Sequence, residues 1–293
     1  MHNVSEMCYC IFMDKDLIVK RLSEYFKGRK DIAFAYLFGS VAKGTSHSES
    51  DIDIGVYFKP RTRELQYESS EEYDGEDSLW SDIERITKKQ TDMVVLNRAP
   101  ATLFDGVFRT GILLYDDGSG LRTRLFLAVT DAAEEFRDFV DDFYKIRERS
   151  RSLTPQDRER LIRMVSFLEQ EITEYAKFKK IDQQEYQNNR PIKREFERWS
   201  ENIVNVSIDI AKVLLASEKR AIPETYKAIL EGMTVLPDFG EDTAKGLAQF
   251  SKMRNLLAHE YLDIRFSMLK KFVDESEPIY ARLIKFAKDI LAR

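Results

Sequence analysis

Cysteine is almost missing from this chain. Its 293 residues include two, Cys8 and Cys10, one residue apart. That spacing excludes a disulfide framework and a CxxC redox or metal motif, and it fits a reducing, cytoplasmic compartment. Histidine is sparse too, three in all, so each one stands out. No apolar run approaches the ~20 residues of a membrane span. The apolar patch at residues 8–13 is too short for a signal peptide and lacks a cleavage site, so residues 1–15 read as an extension outside the fold. A surplus of positive charge is also lacking. The formal net charge is −5, which excludes a global field that would gather nucleic acid and leaves room only for local basic patches. There is no internal repeat and no low-complexity tract.

The composition is that of a soluble globular protein, 43% hydrophobic and 33% charged, with length enough for two domains that each have a core. The organising stretch is residues 37–56, LFGSVAKGTSHSESDIDIGV. Apolar runs flank it, residues 32–38 before and 54–58 after, and they read as two buried strands joined by a polar, Gly- and Ser-rich connection. Gly39-Ser40 falls at the end of the first strand, and Asp51 and Asp53 fall on the second. Residues two apart on a strand share a face, so both carboxylates project together while Ile52 and Ile54 turn inward. Adjacent carboxylates repel unless a cation lies between them. Such oxygen ligands suit Mg²⁺, which takes one or two carboxylates plus substrate phosphates. Gly39 lets backbone approach a ligand closely, and Ser40 offers a hydroxyl and an N–H. Gly39-x4-Gly44 is not a Walker A loop, because Thr45 stands where the phosphate-binding lysine belongs.

Gly39-Ser40, ten residues, then Asp51-x-Asp53 resembles the signature of polymerase-β-type nucleotidyltransferases. Ala42-x-Gly44 and the Ser50-Asp51-Ile52-Asp53-Ile54 context resemble the minimal nucleotidyltransferase (MNT) subgroup. The resemblance implies that Gly39, Ser40 and Lys43 bind a nucleoside triphosphate. It also implies a two-metal Mg²⁺ site on Asp51, Asp53 and a third carboxylate, Asp92, which opens the strand predicted at residues 91–96 and stands at or near the catalytic base.

Around these strands the periodicity predicts helices at residues 16–27, 79–89, 101–111 and 126–149, with a short strand at 112–115. Residues 59–77, acidic toward their end, read as a mobile loop or insertion. Strand signals cease near Arg151–Pro155, taken as the domain boundary. Thr154-Pro155 opens a helix to about Phe178. Further helices are expected at residues 196–216, after Pro223, at 240–259 and at 266–292, as in a helical bundle. The expected fold class is therefore α+β: a small mixed-sheet domain at residues 16–150 and an all-α domain at 151–293.

The helical half holds a second constellation, Met253-Arg254-Asn255-Leu256-Leu257-Ala258-His259-Glu260-Tyr261. It is similar to the Arg-x4-His motif of HEPN domains, in the version that ends His-x-Tyr, with Asn255 in support. The resemblance implies a metal-independent endoribonuclease chemistry, with His259 moving protons and Arg254 stabilising phosphorane charge. Arg254 and His259 are about 140° apart around a helix, so one protomer makes a loose site. The family implies a homodimer that brings in a second copy.

MNT and HEPN domains pair as toxin–antitoxin modules, in which the MNT protein transfers AMP from ATP to the tyrosine of the HEPN motif. Here the pair lies in one chain. The expectation is a protein adenylyltransferase fused to the HEPN domain that it silences, with Tyr261 as acceptor, ATP and Mg²⁺ as substrate and cofactor, and RNA as a candidate partner. Two alternatives stay open: a small-molecule, antibiotic-type nucleotidyltransferase with a helical substrate-binding domain, and a non-catalytic assembly module.

Overall fold

A seven-residue apolar run, Ile32–Phe38, cannot be solvated on either face and forms the inner strand β1 of a four-stranded sheet. A computed structural model of the chain describes residues 15–45, 50–61, 65–149, 152–259 and 266–293; for residues 255, 256, 258 and 259 it describes the backbone alone. The sheet order is β3-β2-β1-β4, with β2 spanning Ile52–Phe58, β3 Thr91–Val95 and β4 Ile112–Asp116. β1 pairs antiparallel with β2 and β4, and β2 pairs parallel with β3, so the sheet is mixed.

Alternation along the strands sorts the two cores. Ile52, Ile54 and Val56 join Ile18, Leu22 and Phe26 of α1 (Lys15–Lys27) and Leu79 and Ile83 of α3 (Glu76–Thr87). Tyr57, Phe34 and Tyr36 join Phe104 and Val107 of α4 (Ala101–Thr110) and Leu125 and Val129 of α5 (Leu121–Arg149). Phe34 and Tyr57 stack with centroids 4.8 Å apart. Each fully buried Leu or Phe of this kind contributes about 1.5–3 kcal/mol.

Two features depart from the sequence expectation. The polar connection after β1 opens with a short helix, α2 (Gly39–Lys43), closed by Gly44 in the left-handed conformation. The acidic stretch is not loose where it is described. Gln66 and Leu65 are buried, and the Gln66 amide donates to the Tyr57 hydroxyl (3.0 Å). The Tyr73 ring stacks on Phe58 at 4.8 Å, and its hydroxyl bonds Gln66. Arg98 grips Glu76 through two nitrogens, at 2.6 and 2.5 Å. A polar composition was compatible with this because the anchors are few and long-range.

The C-terminal region is helical: α6 (Pro155–Glu171), α7 (Tyr175–Phe178), α8 (Gln183–Asn188), α9 (Arg190–Ser217), α10 (Tyr226–Gly232), α11 (Glu241–Ala248), α12 (Lys252–His259), α13 (Phe266–Glu275) and α14 (Glu277–Ala292). Several expected single helices are broken, each for a local reason. Residues 240–259 form two, because the Ser251 hydroxyl bonds the Ala248 carbonyl at 2.7 Å and tightens the last turn of α11. Residues 266–292 divide at the buried Ser276, whose hydroxyl meets that of Tyr175 (2.5 Å), with Pro278 in the first turn of α14. α9 begins at Arg190, well before the expected residue 196. Asn189 caps it by accepting from the Ile192 amide (3.4 Å), and Pro191 lies in the first turn.

The chain divides into two compact units, residues 1–130 and 131–293. The sequence places a boundary near residue 151 instead, because the division falls inside α5. Leu125 and Val129 belong to the first unit's core, and Phe136, Phe139, Phe143 and Ile146 to the second's.

Candidate active site and the Arg254 cluster

The first candidate site is built by strand register. Phe38, the last residue of β1, lies opposite Asp53 in the antiparallel pair, and Asp53 lies beside Asp92 in the parallel pair. Asp51 stands one residue before β2. Because Ile52 and Ile54 fill the core under α1 and α3, Asp53 emerges on the other face. Gly39 then follows Phe38 directly over that carboxylate. Its φ is +71°, and a Cβ placed there would sit 2.6 Å from Asp53 Cγ and overlap Oδ2. Glycine is required twice over, for backbone conformation and for space. Ser40 is half-buried on α2, and Lys43 is exposed at its end.

The electrostatics follow from this crowding. The carboxyl of Asp53 is held above the usual aspartate range, first by burial, then by the negative charges of Asp92 and Asp51. Asp53 thus lies within reach of the negative charge of both neighbours. Among the described residues, no three His, Cys, Asp or Glu side chains already stand gathered as a metal cage. The trio fits a cation that is completed by substrate oxygens, the habit of Mg²⁺.

The second constellation lies in the helical unit. Arg254 and His259 are both on α12; the side chains of Asn255 and His259, and all of Tyr261, lie outside the described residues. Arg254 is described, and it is committed. Its Nη1 lies 2.7 Å from Glu135 Oε2 on α5, and its guanidinium lies 4.2 Å from the centre of the Tyr226 ring on α10. Tyr226 in turn packs edge-on against Phe136 and Phe139. Glu135 and Tyr226 were not foreseen. Nothing in the sequence marks them, since one sits on an ordinary amphipathic helix and the other just after the Thr225 cap.

Comparison with protein families agrees with this division. The family model "Polymerase beta, Nucleotidyltransferase" matches residues 20–119, and "Ribonuclease HepT-like" matches residues 168–287. Residues 20–119 are thus similar to a polymerase-β-type nucleotidyltransferase domain, and residues 168–287 to a HepT-like domain. The nucleotidyltransferase match contains all three acidic residues, and the HepT-like match contains Arg254 through Tyr261. No curated protein matches the sequence. Solved structures that resemble it include a toxin–antitoxin with AMP-PNP, 21% identical over 44% of this chain and 98% of that one, with a TM-score of 0.34. A mutant of the toxin–antitoxin MntA-HpeT is 19% identical over the same shares, also with a TM-score of 0.34. Among the described residues, no helix is long and apolar enough to cross a membrane.

Proposed function

We propose that the nucleotidyltransferase domain transfers AMP from ATP to Tyr261 of the HepT-like domain and thereby silences a ribonuclease. The observation that carries this reading is the acidic trio: Asp53 paired in register with Asp92, Asp51 beside it, and over the Asp53 carboxylate a glycine, Gly39, where any Cβ would collide with it. Asp51, Asp53 and Asp92 would hold Mg²⁺, which when bound offsets the charge of the triphosphate and of the α-phosphate under attack. Gly39 admits the triphosphate close to backbone, Ser40 donates to its oxygens, and Lys43 neutralises part of its charge. The Tyr261 phenolic oxygen forms a bond to the α-phosphorus, its proton passes to Asp92, and the bond to the bridging oxygen breaks to release pyrophosphate.

The product carries an anionic, bulky group two residues from His259. RNA phosphate is then excluded by charge and by size. Support for a protein acceptor comes from the second domain itself, whose HepT-like match contains the Arg-Asn-x3-His-x-Tyr run. The same reading makes the protein a cytoplasmic homodimer formed through the helical unit.

The test is intact mass and peptide mapping of protein incubated with ATP and Mg²⁺, beside an Asp51→Ala/Asp53→Ala variant. AMP on Tyr261 in the wild type alone is the expected result. Tyr261 left unmodified in both overturns the reading and leaves a transferase with some other acceptor.

A further inference from the structure

The helical unit has a charged feature that adenylyl transfer does not use. α9 begins with Arg190, and arginines recur at positions 194 and 198. Residues four apart lie on one side of a helix in steps of about 6 Å, so the three form a stripe. The stripe lines a groove of about 720 Å³ whose wall also includes Leu257 of α12, the helix that carries Arg254 and His259.

Not all of the groove's charge is available. Arg198 pairs with Glu201 at 2.9 Å, and Lys193 lies 3.8 Å from Glu197, so these charges cancel in pairs. Arg190 and Arg194 are exposed and have no ion pair among the described residues. The groove thus keeps two uncompensated guanidinium groups on a chain of net charge −5. Arg254 is in the opposite condition. Only 17% of its side chain is exposed, and it is bound to Glu135 and stacked on Tyr226.

We propose that Arg190 and Arg194 bind successive phosphates of a single RNA strand laid along α9 beside α12. The inference deepens the reading of the helical unit as a ribonuclease-type domain, and rests on it. Guanidinium is the cation that suits a bidentate phosphate contact, and both free cations are arginines. Their helical spacing offers one contact per turn to a repeating anion, and an acidic protein surface has no such fixed repeat.

The experiment is fluorescence anisotropy of a 5′-labelled 20-nucleotide single-stranded RNA titrated with full-length protein at several salt concentrations. The variants are Arg190→Gln/Arg194→Gln and, as an equal loss of charge elsewhere, Lys227→Gln/Lys245→Gln. Binding by the first variant should fall about tenfold, with a log K against log salt slope shallower by about 1.4, or 0.7 for each of two phosphates. The second should bind as wild type does. Unchanged affinity and slope in the first variant overturn the proposal. So does a wild type that binds no RNA, or a polyglutamate peptide that competes equally through the same arginines. AMP transfer, read by intact mass on the same preparations, is independent of these outcomes: its loss in wild type refutes the adenylylation reading, whereas RNA data alone decide the groove.

Discussion

Asp53 is the residue on which the first site turns. It lies under Gly39, which follows its partner Phe38 in one strand pair, and beside Asp92 in the other, and burial with the neighbouring charges holds its carboxyl above the usual aspartate range. A cation that joins the trio relieves this repulsion and so stabilises the folded protein. Mg²⁺ should therefore raise the melting temperature of wild type over that in EDTA. Asp53→Asn should lose that rise and all nucleotide transfer, which a pair of thermal melts and an AMP-labelling assay would check. A variant that keeps a full Mg²⁺ shift would move the metal site elsewhere. At this scale the sequence was legible where chemistry repeats locally. The alternation of Asp51 and Asp53 with Ile52 and Ile54 placed the carboxylates on one face without any long-range information. The partners of Arg254 were illegible for the converse reason: Glu135 and Tyr226 reach it from two other helices.

Among the elements, the segment between β2 and α3 is the instructive case. Its composition resembles a solvated linker, yet Asn97, in the 3-10 turn just after β3, is fully buried and holds it. The Asn97 amide donates to the Phe58 carbonyl (3.0 Å) and to Gln66 Oε1 (3.3 Å), and its oxygen accepts from the Phe58 amide (2.9 Å). Asn97→Ala strips a buried backbone pair of both partners. It should cost about 1–3 kcal/mol in urea denaturation and expose the chain around Gln66 to limited proteolysis. An unchanged midpoint and digestion pattern would mean that the segment is held by other contacts. Pattern reading also began α9 six residues late, since the cap and Pro191 precede the first strong apolar repeat at Phe196. The arginine stripe lies partly in those missing turns.

For the whole molecule, the two tryptophans provide a natural experiment. Trp80 lies in the first unit, 44% exposed, with its indole donating to the Thr91 carbonyl (2.8 Å). Trp199 is buried in the second, packed on Phe178 at 4.3 Å. Trp80→Phe and Trp199→Phe each leave one reporter. ATP with Mg²⁺ should raise the urea midpoint reported by Trp80 and leave that reported by Trp199 in place. Equal shifts in both would show a single cooperative unit. The α+β character and the change from sheet to helix were legible in where strand patterns end. The division at Thr130 was not, because helical periodicity runs through α5 without a break.

Gly39 and Gly44 have almost the same φ, +71° and +72°. Nothing lies within 4 Å of a Cβ added at Gly44, whereas one at Gly39 meets Asp53. A saturation library selected for nucleotide transfer should consequently return asparagine and aspartate at position 44, since these enter the left-handed region at modest cost. At position 39 it should return glycine alone. Two codons five apart, alike in φ, would carry opposite records of selection, and the carboxylate of Asp53 would be readable from the silence of its neighbour.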